Sequence, residues 1–339
     1  MKKLKIAAIG TEHRHIFGQL KGMLDLGCEC VGWWNDGDNK ITDDFTKKYP
    51  TIKREMDKNN LLSNPEIDLV LIADIPSKRA DLAIECMEAG KDVMLDKPGC
   101  TSLEQLKRIE QTVLKTKRIF SIDFSERFEV PSVQVAYDLI QKGEIGNVVQ
   151  TIGMGPHRLN LPTRPEWFFD YEKYGGILCD IASHQIDQFL FFTGSTQAEI
   201  ISSSTGNFAH PQFPKFEDFG EILIHGDKGR GYIRVDWYTP DALPNWGDGR
   251  LTIIGTEGYI ELRKYVDVVG RDGTDHIFLV NKEKYEYINA SSKPLTYFQR
   301  LMNDVLERTS TAMEQDHCLK VMNLAINAQL NAKKMGNLK

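Results

Sequence analysis

Two short stretches of this 339-residue chain put titratable side chains where chemistry can be done. In the first, Val93-Met94-Leu95-Asp96-Lys97-Pro98, a carboxylate and a lysine close an apolar run and a proline follows. Proline fixes its own φ and has no N–H to donate, so it aims the lysine before it rigidly. A lysine held this way can hydrogen-bond a hydroxyl or carbonyl oxygen and favour negative charge building there. The plainer reading is a surface lysine paired with Asp96. In the second stretch, Gly175-Gly176-Ile177-Leu178-Cys179-Asp180-Ile181-Ala182-Ser183-His184-Gln185-Ile186-Asp187, two glycines precede Asp180, His184 and Asp187 at i, i+4 and i+7. That spacing predicts one helix face. A carboxylate and an imidazole so placed can share a substrate hydroxyl, and histidine titrates at about pH 6.5. Spacing alone serves a structural His–Asp pair equally well.

A third stretch joins an apolar run to a helical pattern, where a helix N-terminus can receive a pyrophosphate on its backbone N–H groups. The dinucleotide fingerprint there is G-x-G-x-x-G. This chain has Gly10-Thr11-Glu12-His13-Arg14-His15, so only the first glycine remains. Glu12 brings negative charge towards a pyrophosphate, and His15 stands where close helix–strand packing usually needs a small residue. His13 and Arg14 can compensate by donating hydrogen bonds. The alternative is a modified or absent cofactor site. Asp36, 26 residues beyond Gly10, stands where an acid accepts from an adenosine ribose. An acid there favours NAD over NADP, because it repels a 2′-phosphate. Asp36 also reads as a solvated turn acid, and Asp38 can fill either role.

A proline-interrupted loop, 155–170, carries His157, Arg158, Arg164 and Trp167. It is suited to gripping a polyol or acidic sugar through its arginines, with the indole as a stacking face. An oligomer arm or a packed loop explains it equally. Arg127 is a further candidate for the same contact.

Such residues need elements to position them. The first ~120 residues alternate short apolar runs with helical patterns, the rhythm of parallel βαβ units. Strands are predicted at 4–9, 30–34, 69–73, 93–95 and 119–124. Helices are predicted at 16–26, 78–89 and 102–116. The texture then changes. A helix at 130–141 precedes alternating stretches at 148–154, 199–204, 221–224, 232–238, 251–254, 259–262 and 277–279, with turn residues such as Asp272-Gly273 between them. A helix at 180–193 interrupts the series, and helical patterns at 296–306 and 315–333 close the chain. The reading is α/β: a doubly wound parallel Rossmann sheet over 1–122, then an α/β domain with a mainly antiparallel, open-faced sheet over 123–339.

Composition removes other classes. The formal net charge is −6 with both signs interspersed, which excludes a basic nucleic-acid stripe or a polybasic membrane patch. The start, Met1-Lys2-Lys3-Leu4-Lys5-Ile6-Ala7-Ala8-Ile9, imitates a signal peptide, but its apolar run is shorter than the ~7–15 residues one needs. A buried first strand explains it better. Six scattered cysteines without a C-x-x-C pair point to reduced thiols in a cytoplasmic protein and away from a metal site.

The Asp96-Lys97-Pro98 turn resembles the Glu-Lys-Pro signature of the glucose–fructose oxidoreductase / inositol dehydrogenase (Gfo/Idh/MocA) family. Arg79 stands where many members have histidine, and Asp74 where a threonine is common. The run Gly-Gly-x-x-x-Asp-x-x-x-His is similar to that family's second motif. Further similarity lies in Lys142-Gly143-Glu144-Ile145-Gly146, Phe216-Glu217-Asp218, Gly255-Thr256-Glu257-Gly258 and the closing helix. The resemblance implies a nicotinamide-dependent dehydrogenase of sugars, inositols or related polyols. It implies Lys97, Asp180 and His184 as the catalytic set, with His184 as general base and Asp180 and His184 on the substrate. Gly10, Thr11, His13, Arg14, Asp36, Asp74, Lys97 and Pro98 become the cofactor-binding residues, and a homodimer or homotetramer is expected. Some relatives use NAD transiently to cleave glycosides, and others have become binding or regulatory proteins; both remain alternatives.

Overall fold

A strand that is apolar at every position must be covered on both faces. The computed structural model describes residues 3–336, so Met1 and Lys2 of the lysine-rich start lie outside it. β1 (Lys5–Ile9), β2 (Glu29–Trp34), β3 (Leu69–Ile72), β4 (Asp92–Asp96) and β5 (Phe120–Asp123) form an all-parallel sheet in the order β2-β1-β3-β4-β5. Every residue of β3 and β4 is buried. Helices α1 (Ile16–Asp25), α2 (Lys40–Lys48), α3 (Asn59–Leu62), α4 (Pro76–Glu88) and α5 (Leu103–Thr116) connect the strands, giving the expected doubly wound sheet.

Local chemistry sets the helix ends. Pro76 opens α4, where a missing N–H costs nothing. The Ser102 side chain caps α5, and Lys117 closes it at φ 56°. Sequence periodicity passed over α2, which is short and polar. It is held by a reciprocal cap: the Asn39 side chain accepts from Thr42 N while Thr42 Oγ1 accepts from Asn39 N.

The second sheet follows α6 (Ser125–Phe128) and α7 (Pro131–Gln141). Its first strand, β6 (Val148–Pro156), is separated by α8 (Tyr171–Tyr174), α9 (Ile177–Asp180) and α10 (Ala182–Thr193) from the next. Then come β7 (Ala198–Gly206), β8 (Phe219–Gly226), β9 (Arg230–Asp236), β10 (Arg250–Gly255), β11 (Gly258–Arg263), β12 (His276–Asn281) and β13 (Tyr285–Asn289). Helices α11 (Tyr297–Glu307) and α12 (Gln315–Leu330) precede a last short strand, β14 (Lys333–Lys334). The nine-stranded order is β13-β12-β11-β10-β6-β9-β8-β7-β14. It is mainly antiparallel as expected, with parallel pairs at β6–β9 and β7–β14. Alternate residues of β8 are buried, the mark of a sheet covered on one face. Val133 and Ala136 of α7 meet Ile253, Ile260 and Leu279 in that core.

The chain divides into two compact units, neither of them one continuous stretch. The first takes the residues up to Asp123, Glu172–Gly175 and Thr296–Met322; the second takes Phe124–Tyr171, Gly176–Leu295 and the residues from Asn323. The return of α11 to the first unit has a local cause. A Cβ on Gly22 of α1 would lie 2.5 Å from the Phe298 ring, so glycine permits the helices to touch. Tyr297 Oη meets Ser121 Oγ at 2.8 Å, and the Gln315 side chain bonds both backbone groups of Phe120. Among the described residues no helix is long and apolar enough to cross a membrane.

Leu71, central in β3 and fully buried, tests this layering. Leu71→Ala should destabilise the first unit by about 2–5 kcal/mol, read from the shift of its urea-unfolding transition.

Candidate functional site

In the first unit, ligand chemistry belongs where the strand order reverses. The sheet runs outward from β1 to β2 on one side and from β3 to β5 on the other, so the crevice opens at the carboxyl ends of β1 and β3. Gly10 and Asp74 face each other there. Gly10 has φ 78°, and a Cβ on it would lie 2.6 Å from the Asp74 side chain, so both conformation and space demand glycine. His13 N donates to Ala73 O at 2.7 Å, holding the turn against β3.

Glu12, whose charge the sequence set against a pyrophosphate, is engaged. Its Oε1 accepts from the side chains of Asn35 at 2.8 Å and Asn39 at 2.7 Å. Thr11 donates its N–H to Asn35 Oδ1 at 2.7 Å, and its buried hydroxyl makes no hydrogen bond among the described residues. Arg14 points to Asp44 at 2.8 Å on the surface. Asp36 is well exposed, 3.2 Å from Lys78.

Asp96 organises the rest. Its Oδ2 is 2.8 Å from Arg79 Nη2 and 2.8 Å from His13 Nδ1, and its Oδ1 is 2.7 Å from His15 Nδ1. Arg79, fully buried, also donates to the carbonyls of Asp74 (2.7 Å), Asp96 (3.0 Å), Pro98 (3.1 Å) and Lys97. It therefore clamps the turn that carries Lys97, which is itself buried rather than a surface lysine. The Asp96 carboxylate is shared by one arginine and two imidazoles. Burial would raise the Asp96 carboxyl, but Arg79, His15 and His13 outweigh it and hold it well below the usual range. Burial also drives His13 down to about 4, so its imidazole is neutral at pH 7. Burial raises Asp74 to about 6. The glycine turn, the buried Thr11 hydroxyl and the exposed Asp36 fit a dinucleotide laid across this crevice.

In the second unit, the helix expected over 180–193 is interrupted. Asp180 ends α9, and α10 starts two residues later. Ser183 Oγ takes the Asp180 carbonyl at 2.9 Å, so His184 N turns to Ile181 O at 3.1 Å and the turn tightens. Asp180 and His184 are buried, and His184 meets the Phe124 ring edge-on at 6.3 Å. Asp187 has a different task. Arg127 grips both its oxygens at 2.7 Å, a buried bidentate pair stacked against Phe128 and Phe191.

The 155–170 loop is packed. Arg158 donates to the carbonyls of Pro240 (2.9 Å) and Leu243 and so ties down the 240–243 segment. Arg164 lies over Phe168 and Trp237, donates to Leu159 O at 2.7 Å, and is lowered to about 10 by burial, with Asp180 opposing. Trp167 is buried near Phe168. His157 sits against Trp237 and Trp246. Of the sequence candidates in this unit, Asp180 and Arg164 are within electrostatic reach of each other, while Arg127 and Arg158 hold internal partners. Sequence reasoning missed Glu126, Gln185 and Lys264, a buried cluster that no local motif announces.

A dinucleotide-binding unit joined to an open-sheet α/β unit is the architecture of a two-domain nicotinamide oxidoreductase. Residues 26–124 match the family model "Oxidoreductase family, NAD-binding Rossmann fold", and residues 133–261 match "GFO/IDH/MocA C-terminal domain". The chain belongs to the Gfo/Idh/MocA family. It is similar to a solved protein from Erwinia carotovora atroseptica SCRI1043, with 44% identity and TM-score 0.96 over 98% of this chain and 100% of that one. It is 29% identical to scyllo-inositol 2-dehydrogenase (NAD(+)) of Bacillus subtilis over 60% of this chain and 57% of that enzyme's length. A levoglucosan dehydrogenase in complex with NADH and L-sorbose shares the fold, with TM-score 0.75, 16% identity and 97% of each chain covered.

The raised Asp74 carboxyl predicts a pH-dependent dinucleotide affinity. Below about 6 it is neutral, and above that it is an anion facing the Gly10 turn. NAD+ should therefore bind more tightly at pH 5.5 than at pH 7.5, and Asp74→Asn should tighten binding at pH 7.5 by about tenfold or less and flatten the dependence. Calorimetric titration at the two pH values checks both outcomes.

Proposed function

We propose that this protein is an NAD-dependent dehydrogenase that oxidises a secondary alcohol of a sugar, inositol or related polyol. The observation that carries the reading is the pair of built turns. Arg79 clamps the Asp96-Lys97-Pro98 carbonyls in one unit, and the run that follows Gly176 delivers buried Asp180 and His184 in the other. The inositol and levoglucosan dehydrogenases among the relatives support the substrate class.

The bound nicotinamide supplies the hydride acceptor. The chain's own residues do the rest. The imidazole of His184 takes the hydroxyl proton, a general-base task. Asp180 orients the alcohol and the histidine. The Lys97 ammonium stabilises the negative charge that develops on oxygen, which matters more in a buried site than in water. Among the loop residues, Arg164, His157 and Trp167 are proposed as the polyol contacts, while Arg127 and Arg158 keep the walls in place. The exposed Asp36 carboxylate accepts from the adenosine ribose and disfavours a 2′-phosphate.

The open face of the second sheet supports a homodimer or homotetramer. Tyr259 and Tyr287 are exposed on β11 and β13, side by side with partly covered Val280 and Phe278 of β12. Apolar rows on a strand face of this kind are covered by a second copy in a stable assembly.

Purified protein should bind NADH more tightly than NADPH, measured by energy transfer from tryptophan and confirmed calorimetrically. With NAD+ and a polyol panel it should produce NADH absorbance at 340 nm. His184→Ala should lower kcat/KM by about 10²–10⁴. A His184→Ala variant within a few-fold of the parent would remove the proposed base.

A further inference from the structure

The residue after His184 on α10 belongs to a buried polar cluster that none of the family motifs includes. Glu126, in α6, is 2% exposed, and its Oε2 accepts from Lys264 Nζ at 2.8 Å and from Gln185 Nε2 at 3.0 Å. Lys264 is 1% exposed. Gln185 follows His184 directly on α10. β6 is shaped to admit it: a Cβ on Gly155 would lie 2.7 Å from Gln185 Nε2, and one on Gly153 3.0 Å from Gln185 Cγ. Glu126 Oε1 and Gln185 Oε1 are both buried and make no hydrogen bond among the described residues.

Taking a carboxylate and an ammonium out of water costs several kcal/mol per ion, and packed apolar residues often replace such a pair without loss. Stability alone gives little reason to keep this one. The Glu126 carboxyl is pushed up by burial, yet Lys264, then His184 and His157, hold it at about 2. It is thus a permanent anion within electrostatic reach of His184. Like Glu126 with Lys264, the neighbouring acids of this unit have cationic partners. Asp187 is held by Arg127, and Asp180 is opposed by Arg164. His157, just after β6, and Lys264 and Tyr265, just after β11, are the other titratable groups within electrostatic reach of Glu126.

We propose that Glu126 is a positioning residue for His184: its buried carboxylate, oriented by Lys264 and Gln185, stabilises the imidazolium formed when His184 takes the substrate proton. The proposal rests on the reading of His184 as general base. The sign follows from charge. An anion beside an imidazole favours the protonated form and raises its pKa, so removing the anion lowers it and makes a weaker base.

The test uses the full-length protein with NAD+ and the polyol found active. The readouts are the acid limb of kcat/KM against pH and the titration of the His184 ring by NMR. Glu126→Gln should move both to lower pH by about one unit, with a loss in kcat rather than a rise in KM. Glu126→Asp should recover part of the shift. Because Glu126→Gln leaves Lys264 buried without its counter-charge, the double variant Glu126→Gln/Lys264→Met provides a second folded background. It should shift in the same direction but by less, because the opposing cation is lost with the anion. A folded variant whose His184 titration and acid limb match the parent would overturn the proposal and leave a structural ion pair. If the NMR titration shifts while His184→Ala keeps its activity, the general-base reading falls instead, and the catalytic part of this inference falls with it.

Discussion

A carboxylate buried as deeply as Asp96 survives only among donors, and those donors give the first unit its site. Arg79 reaches it from α4, and His13 and His15 reach it from the turn after β1. One carboxylate thereby joins three segments: the glycine turn, the start of α4 and the Asp96-Lys97-Pro98 turn. The same guanidinium caps three consecutive carbonyls around Lys97, in an interior where backbone groups must be paired. The two departures from the family pattern, aspartate for glutamate and arginine for histidine, are bonded to each other. The shorter acid is met by the longer base.

The damaged glycine fingerprint has a similar explanation. At the two positions where glycine is missing, His15 bonds Asp96, as does His13 nearby, and Glu12 is turned into a tie with Asn35 and Asn39. Only Gly10 is irreplaceable, because Asp74 lies against it. The turn keeps its position at the switch point while its side-chain chemistry is rewritten.

The parts legible in sequence were those with local causes. Leu69–Ile72 is apolar throughout, so a doubly covered strand follows. The apolar and turn rhythm after residue 123 likewise announced an open, mainly antiparallel sheet. The short helix α2 escaped because its stability lies in a reciprocal cap rather than in an apolar stripe. The break at Ile181 escaped because it depends on a serine hydroxyl competing for a carbonyl, which i, i+4 spacing cannot show. Arg127 and Arg158 looked like ligand contacts because an arginine's partner is invisible until the chain has folded. One holds Asp187, 60 positions away, and the other holds carbonyls more than 80 positions away.

By itself the sequence determined the fold class, the switch-point turn at Gly10, and the residue types of the proposed chemistry: lysine before proline, aspartate and histidine after two glycines. These follow from backbone preferences and hydrophobic periodicity, which act over a few residues. Tertiary structure alone decided which charges neutralise which. It brought Glu126, Gln185 and Lys264 together in one buried cluster, and it returned α11 to the first unit through the gap that Gly22 leaves for Phe298. Electrostatic partnership depends on distance in space and on the exclusion of water, and neither is written in the spacing of residues along a chain.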